Sequence, residues 1–136
     1  MSYAVSAALQ QAVYQRLAGD AALTALVGDA IFDARPPGPV PDIYVALGPE
    51  KVRDASDQTG HGARHEFTVS VVAAARGFAA AKTAAAAISD ALVDADLTLA
   101  RGRIVFLRFL RAAATRSGKG ETRRIDLIFR AGVEDA

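Results

Sequence analysis

Cysteine is absent from the chain, so disulfides, thiolate nucleophiles and thiolate-ligated zinc have no residues to build them. The same absence leaves the redox compartment open. Excess charge is missing as well: 16 Lys and Arg against 15 Asp and Glu give a formal net charge of +1, which excludes a nucleic-acid binder working through bulk charge. Histidine is scarce. His61 and His65 stand four apart, but the glycines around His61 oppose a helical ligand pair and no carboxylate set accompanies them, so neither a metal nor another cofactor is expected. Long hydrophobic runs are also wanting. The stretches Val71 to Ala75 and Phe78 to Ala81 are interrupted by Arg76 and Lys82 and fall far short of the ~20 residues a bilayer requires. The opening Met-Ser-Tyr-Ala lacks the basic-then-apolar layout of a secretory signal, so a soluble protein with no membrane partner is expected.

What is present suffices for one hydrophobic core. A length of 136 residues predicts a single domain over residues 1–136. The stretch from His65 to Ala95 declares its architecture. His65, Phe67, Val69 and Val71 fall on one side of a period-two segment and Glu66, Thr68 and Ser70 on the other, the pattern of a half-buried antiparallel strand. Arg76-Gly77 breaks the pattern. Phe78, Ala81, Ala85, Ile88 and Leu92 then recur at three and four residues, the stripe of a helix whose alanines let it lie close to the sheet.

The remaining segments follow the same logic. Leu9, Val13, Tyr14 and Leu17 mark a helix from Ser6 to Leu17, stopped at Gly19, and Asp20 caps a short helix from Ala21 to Leu26 that ends at Gly28. Ile31 and Phe32 lead into the prolines of residues 34–41, read as an extended connector. A strand follows from Asp42 to Leu47 and stops at Gly48-Pro49. Residues 50–62 read as a long polar loop. Arg103 to Ala113 is strand-like with both faces apolar at its centre, which predicts a central place in the sheet or a face that meets another molecule. A polar turn at residues 115–120 joins it to a last strand from Glu121 to Ala131, with Ile125, Leu127 and Phe129 turned one way and Arg124, Asp126, Ile128 and Arg130 the other. The expected fold is α+β: a mostly antiparallel four-stranded sheet covered by helices.

Nothing in the chain composes a catalytic site. Gly118-Lys119-Gly120-Glu121 lacks the glycine spacing and the Ser or Thr of a phosphate loop, and joins two strands rather than a strand and a helix. Asp54, Asp57 and Glu66 sit in or beside a polar loop without a nucleophile or a paired base. No enzyme is expected. Charge distribution says more. The first 100 residues hold 7 basic and 11 acidic side chains and residues 101–136 hold 9 and 4, which makes the carboxyl-terminal hairpin a basic element. Arg101, Arg103, Arg111, Arg116, Lys119, Arg123 and Arg124 are candidates for a surface facing phosphates or a neighbouring subunit; the plain alternative is the wet side of a hairpin. Lys51, Arg53, Asp54, Asp57 and His61 mark the polar loop as a candidate assembly arm, with an ordinary solvated excursion as its alternative.

Segregated charge and an apolar strand pair suit copies that meet head to tail, acidic face on basic. The chain also resembles a known family, the tail-completion or tail terminator proteins, also called minor tail proteins, of long-tailed phages and phage-derived gene transfer agents. The resemblance is carried by Ala7-Ala8-Leu9-Gln10-Gln11 with Val13-Tyr14-Gln15-Arg16-Leu17, by the Asp20 to Val27 helix running into Gly28-Asp29-Ala30-Ile31-Phe32-Asp33, by Ile43-Tyr44-Val45-Ala46-Leu47-Gly48 after the prolines, and by the His65 to Val71 strand with its alanine-rich helix. It implies a structural virion protein, in a hexameric ring, that terminates the tail tube and joins it to the head connector or stopper protein during particle assembly. It further implies a place at the head-proximal end of the tail, assembly in the bacterial cytoplasm, and DNA passing through the lumen without sequence-specific contact. A head-completion or connector protein of the same particle, and a small DNA-backbone-binding protein, are the competing readings.

Overall fold

The structure is a computed structural model that describes residues 3–33, 38–39, 41–57, 60–74, 78–117 and 122–135. Helix α1 (Ser6–Ala18) buries Leu9, Val13 and Leu17 and turns Tyr14 outward, against the expected stripe. Gly19 closes it by donating its N–H to the Gln15 carbonyl. Asp20 caps helix α2 (Ala21–Val27): its carboxylate accepts the Leu23 N–H at 3.0 Å, and Gly28 ends the helix at φ 61°, in the left-handed region.

Ile31–Phe32 form β1, a strand that the sequence does not announce because two residues carry no periodicity. It pairs parallel with Val45 and Ala46 of β2 (Ile43–Asp54), so the sheet has five strands rather than four. The larger departure lies in β2 itself. Gly48-Pro49 does not stop the strand; a bulge between Leu47 and Glu50 absorbs both residues and pairing with β3 (Gly62–Ala74) resumes through Asp54. A bulge lets a proline sit where no ladder N–H is needed. The long loop expected over residues 50–62 therefore contracts to residues 55–61.

Helix α3 (Ala79–Leu92) follows the predicted stripe, burying Ala81, Ala84, Ala85, Ile88, Ala91 and Leu92. Strands β4 (Arg103–Ser117) and β5 (Thr122–Glu134) form the second antiparallel hairpin; the turn residues 118–121, Lys119 among them, and residues 75–77 lie outside the described residues. The order is β1-β2-β3-β5-β4. The two hairpins join through β3 and β5, and β4 occupies an edge, which removes the central place and leaves the other reading of its two apolar faces, a face that meets another molecule. Its bulges, between Ile104 and Phe106 and between Phe109 and Arg111, break the simple alternation.

All three helices lie on one face of the sheet. There His65, Phe67, Val69 and Val71 of β3 and Ile125, Leu127, Phe129, Ala131 and Val133 of β5 are buried with Val5, Leu9, Leu17, Leu23, Ile88 and Leu92. Phe129 stacks on Phe67 with ring centroids 5.7 Å apart. The opposite face carries a small cluster of Ala30, Tyr44 and Val72, partly covered by Phe32 and Ala46, and no helix among the described residues. On that face Phe106 lies over Gly132, where an added Cβ would stand 2.3 Å from the ring. No helix among the described residues is long and apolar enough to cross a membrane.

Candidate assembly surface

The register of the sheet decides where each predicted residue stands. Lys51 and Arg53 are not on a loop: they project from β2 to the uncovered face, opposite Glu66 and Arg64 of β3. Asp54 pairs with Ala63 at the end of the same strand and accepts a hydrogen bond from the Ser56 hydroxyl at 2.7 Å, which holds its carboxyl below the ordinary range. Asp57 and His61 remain in the turn. The Asp57 carboxylate accepts the Gly60 N–H at 2.8 Å and the His61 carbonyl accepts the Asp135 N–H at 2.9 Å, so the turn is tied to the end of β5.

The six described basic candidates do not share one surface. Arg101 forms a two-pronged pair with Asp135 at 2.8 and 3.0 Å, and Arg103 is ion-paired with Glu134. Arg124 contacts Asp126 at 2.9 Å and also donates to the Ser70 hydroxyl at 3.2 Å. Arg123 turns to the helix side, 5.6 Å from the Phe78 ring centroid, and Arg116 stands opposite it on β4. Of the six described, Arg111 alone is exposed on the uncovered face without an ion pair among the described residues.

Three features escape the sequence reading. The first is the edge of β4. Val105 and Phe109 are 53% and 45% exposed, and Phe109 with Ala112 and Ala114 forms one wall of an apolar groove whose other wall is Lys82, Ala85, Ala86 and Ser89 of α3. The second is a buried polar knot beneath α1. His65 is fully buried, its Nδ1 lies 3.6 Å from the Glu50 carboxylate, and neither ring nitrogen has a hydrogen-bond partner among the described residues. Glu50 accepts from the hydroxyls of Tyr3 and Ser6. Partial burial pushes its carboxyl upward, but those two hydrogen bonds and the nearby imidazole outweigh that and hold it below the usual carboxylate value. The third is the number of arginines on the uncovered face, where Arg64, Arg108 and Arg130 join Lys51, Arg53 and Arg111.

None of these features sets a nucleophile beside a base that solvent can reach. Among the described residues no group of three or more His, Asp or Glu could hold a metal ion.

Comparison with known proteins accords with this surface-dominated molecule. No curated protein matches the chain in sequence. A chain in the solved structure described as the virion of a native gene transfer agent (GTA) particle is 65% identical and superposes with a TM-score of 0.93, the match covering 98% of this chain and 99% of that one. The family model of tail completion protein gp17 matches residues 11–134. The chain belongs to that tail completion family: it is a structural protein of a phage or gene transfer agent tail, with a role in virion assembly near the head-proximal end.

Proposed function

We propose that copies of this chain close head to tail into a hexameric ring that ends the tail tube and presents its other rim to the connector or stopper protein of the head. The observation that carries this reading is the unfinished margin of the sheet at β4. Among the described residues β4 has no strand neighbour on its outer side, and past the Asp94 N–H to Leu107 carbonyl bond its outer edge runs open along the exposed Phe109. A second unfinished margin lies on β2, whose residues beyond Ala46 have, among the described residues, no strand on the side that β1 occupies earlier. Two different open margins on one subunit suit heterologous contacts, which close into a ring when the rotation permits. The residues 55–61 turn, which carries Asp57 and His61, is the arm that reaches the tube or the connector. Particles are put together in the bacterial cytoplasm.

Negative-stain imaging and mass measurement of the purified protein, alone and with tail-tube protein, test this. Rings wide enough for duplex DNA that cap tube ends are the expected result. Rings that bind only head-side proteins would assign the chain to head completion instead, and a monomer at every concentration, with and without tube, would overturn the ring.

A further inference from the structure

The face of the sheet that no helix covers is charged in a way that sheet stability does not explain. Arg53 lies directly opposite Arg64, and Arg108 directly opposite Arg130. Like charges in cross-strand register are destabilising. A sequence free to choose would alternate signs there, as it does at Lys51 opposite Glu66. The local carboxylates do not restore balance. Glu66 is held below its ordinary value by a hydrogen bond from Arg130 at 2.8 Å and, further off, by the charges of Arg111 and Arg53, so three guanidiniums gather around one carboxylate. Lys51, Arg53, Arg64, Arg108 and Arg111 form no ion pair among the described residues and all are exposed. Between them Lys51 and Arg111, with Thr68, Ile128 and the acidic Glu50 and Glu66, line a shallow depression.

We infer that this uncovered sheet face is a docking surface for the phosphodiester backbone of DNA, with Arg53, Arg64, Arg108 and Arg111 as its phosphate-binding side chains. The band crosses four strands, β2 to β4, a width of about 14 Å at the ~4.8 Å spacing of neighbouring strands, enough to lie along several successive phosphates. Guanidinium groups are suited to phosphate because they present two parallel N–H donors to two oxygens. A protein partner fits less well, because the centre of a protein interface is depleted of charge and anchored by aromatic side chains. Here Phe106 is pressed on Gly132 and lies under Arg108, 4.4 Å from ring centroid to guanidinium carbon, while Tyr44 and Phe32 pack on each other at the far side of the face. Contacts to phosphates carry no sequence information, so binding through these guanidiniums would be blind to sequence.

This inference deepens the ring reading by assigning the face turned to the lumen, but its test does not require a tail. Anisotropy of a labelled random-sequence duplex with the purified protein is measured across a salt series. Four phosphate contacts predict a loss of roughly a hundredfold in affinity between about 50 and 200 mM salt. The combined variant Arg53→Gln, Arg64→Gln, Arg108→Gln and Arg111→Gln should bind at least tenfold more weakly with a shallower salt slope. Thermal unfolding should show it no less stable than the parent, since two like-charge oppositions are removed. The control Arg101→Gln with Arg103→Gln, at ion-paired positions, should change affinity less than threefold. No duplex binding at the lowest salt, or equal losses in the two variants, overturns the inference. So does a combined variant that keeps its duplex affinity but no longer caps tail tubes, which would give the face to an acidic protein. Rings that fail to form while the duplex results hold would sink the ring and leave this face standing.

Discussion

His65 Nδ1 lies 3.6 Å from a carboxylate oxygen of Glu50, with the imidazole wholly buried and the carboxylate at the rim of the core. The pairing exists because the bulge at Gly48-Pro49 returns Glu50 to the helix-covered face, opposite Phe67, where Tyr3 and Ser6 can reach it. Removing the carboxylate strips a partner from all three groups. Glu50→Ala should destabilise the fold by about 1–3 kcal/mol, measured by urea unfolding.

The same knot sets a pH dependence. A carboxyl whose folded-state value is lowered contributes stability that is present above its unfolded value and is lost as pH falls through the folded one. Glu50 is lowered from 4.5, so this contribution should disappear progressively as the solution is acidified below that value. Glu50→Gln should show a flatter stability profile than the parent between about pH 5 and pH 2. Identical profiles would mean that Glu50 is not held in its charged form by Ser6 and Tyr3.

Gly132 faces the Phe106 ring at a distance that leaves no room for a methyl group. Gly132→Ala should cost about 1–3 kcal/mol by forcing the ring from its place. The second-site change Phe106→Ala should recover most of that loss in a double-mutant cycle. If the two costs simply add, the contact is not what constrains position 132.

Phe109 joins the core to the open edge, its ring edge-on to Phe129 at 6.0 Å while 45% of the residue remains exposed. Phe129→Ala, deep in the core, should lower stability by about 3–5 kcal/mol. Ala112→Glu, on the same groove wall three residues further along β4 and exposed, should leave unfolding within about 0.5 kcal/mol of the parent. Sedimentation should nevertheless show a marked loss of self-association for Ala112→Glu, and unchanged oligomers would remove the groove from the subunit contact.

Much of the fold is legible in the sequence because its elements bury one face each. The Leu9, Val13 and Leu17 spacing, the Asp20 cap, the alternation from His65 to Val71 and the alanine stripe of α3 all appear in the structure as read. What is not legible depends on register. A proline in mid-strand ordinarily signals an end, and only pairing with β3 shows that β2 runs on through a bulge. That continuation moves Lys51 and Arg53 from a loop to a sheet face. The basic hairpin misleads for a related reason: counting charges along the chain cannot tell Arg101, already matched by Asp135, from Arg111, which has no such match. Arg64 and Arg108 draw no notice in sequence because each becomes conspicuous only beside its cross-strand neighbour.

The exposed flank of β4 also constrains which assemblies are avoided. Two β4 strands laid antiparallel in a twofold dimer would set the series Arg108, Arg111 and Arg116 against its own copy, a repulsive match with no intervening acid on that strand. A different flank offers β4 backbone partners without that self-encounter. In the proposed ring these arginines would act as gatekeepers against runaway or mirror-like stacking, leaving each copy with the same handed neighbour on each side.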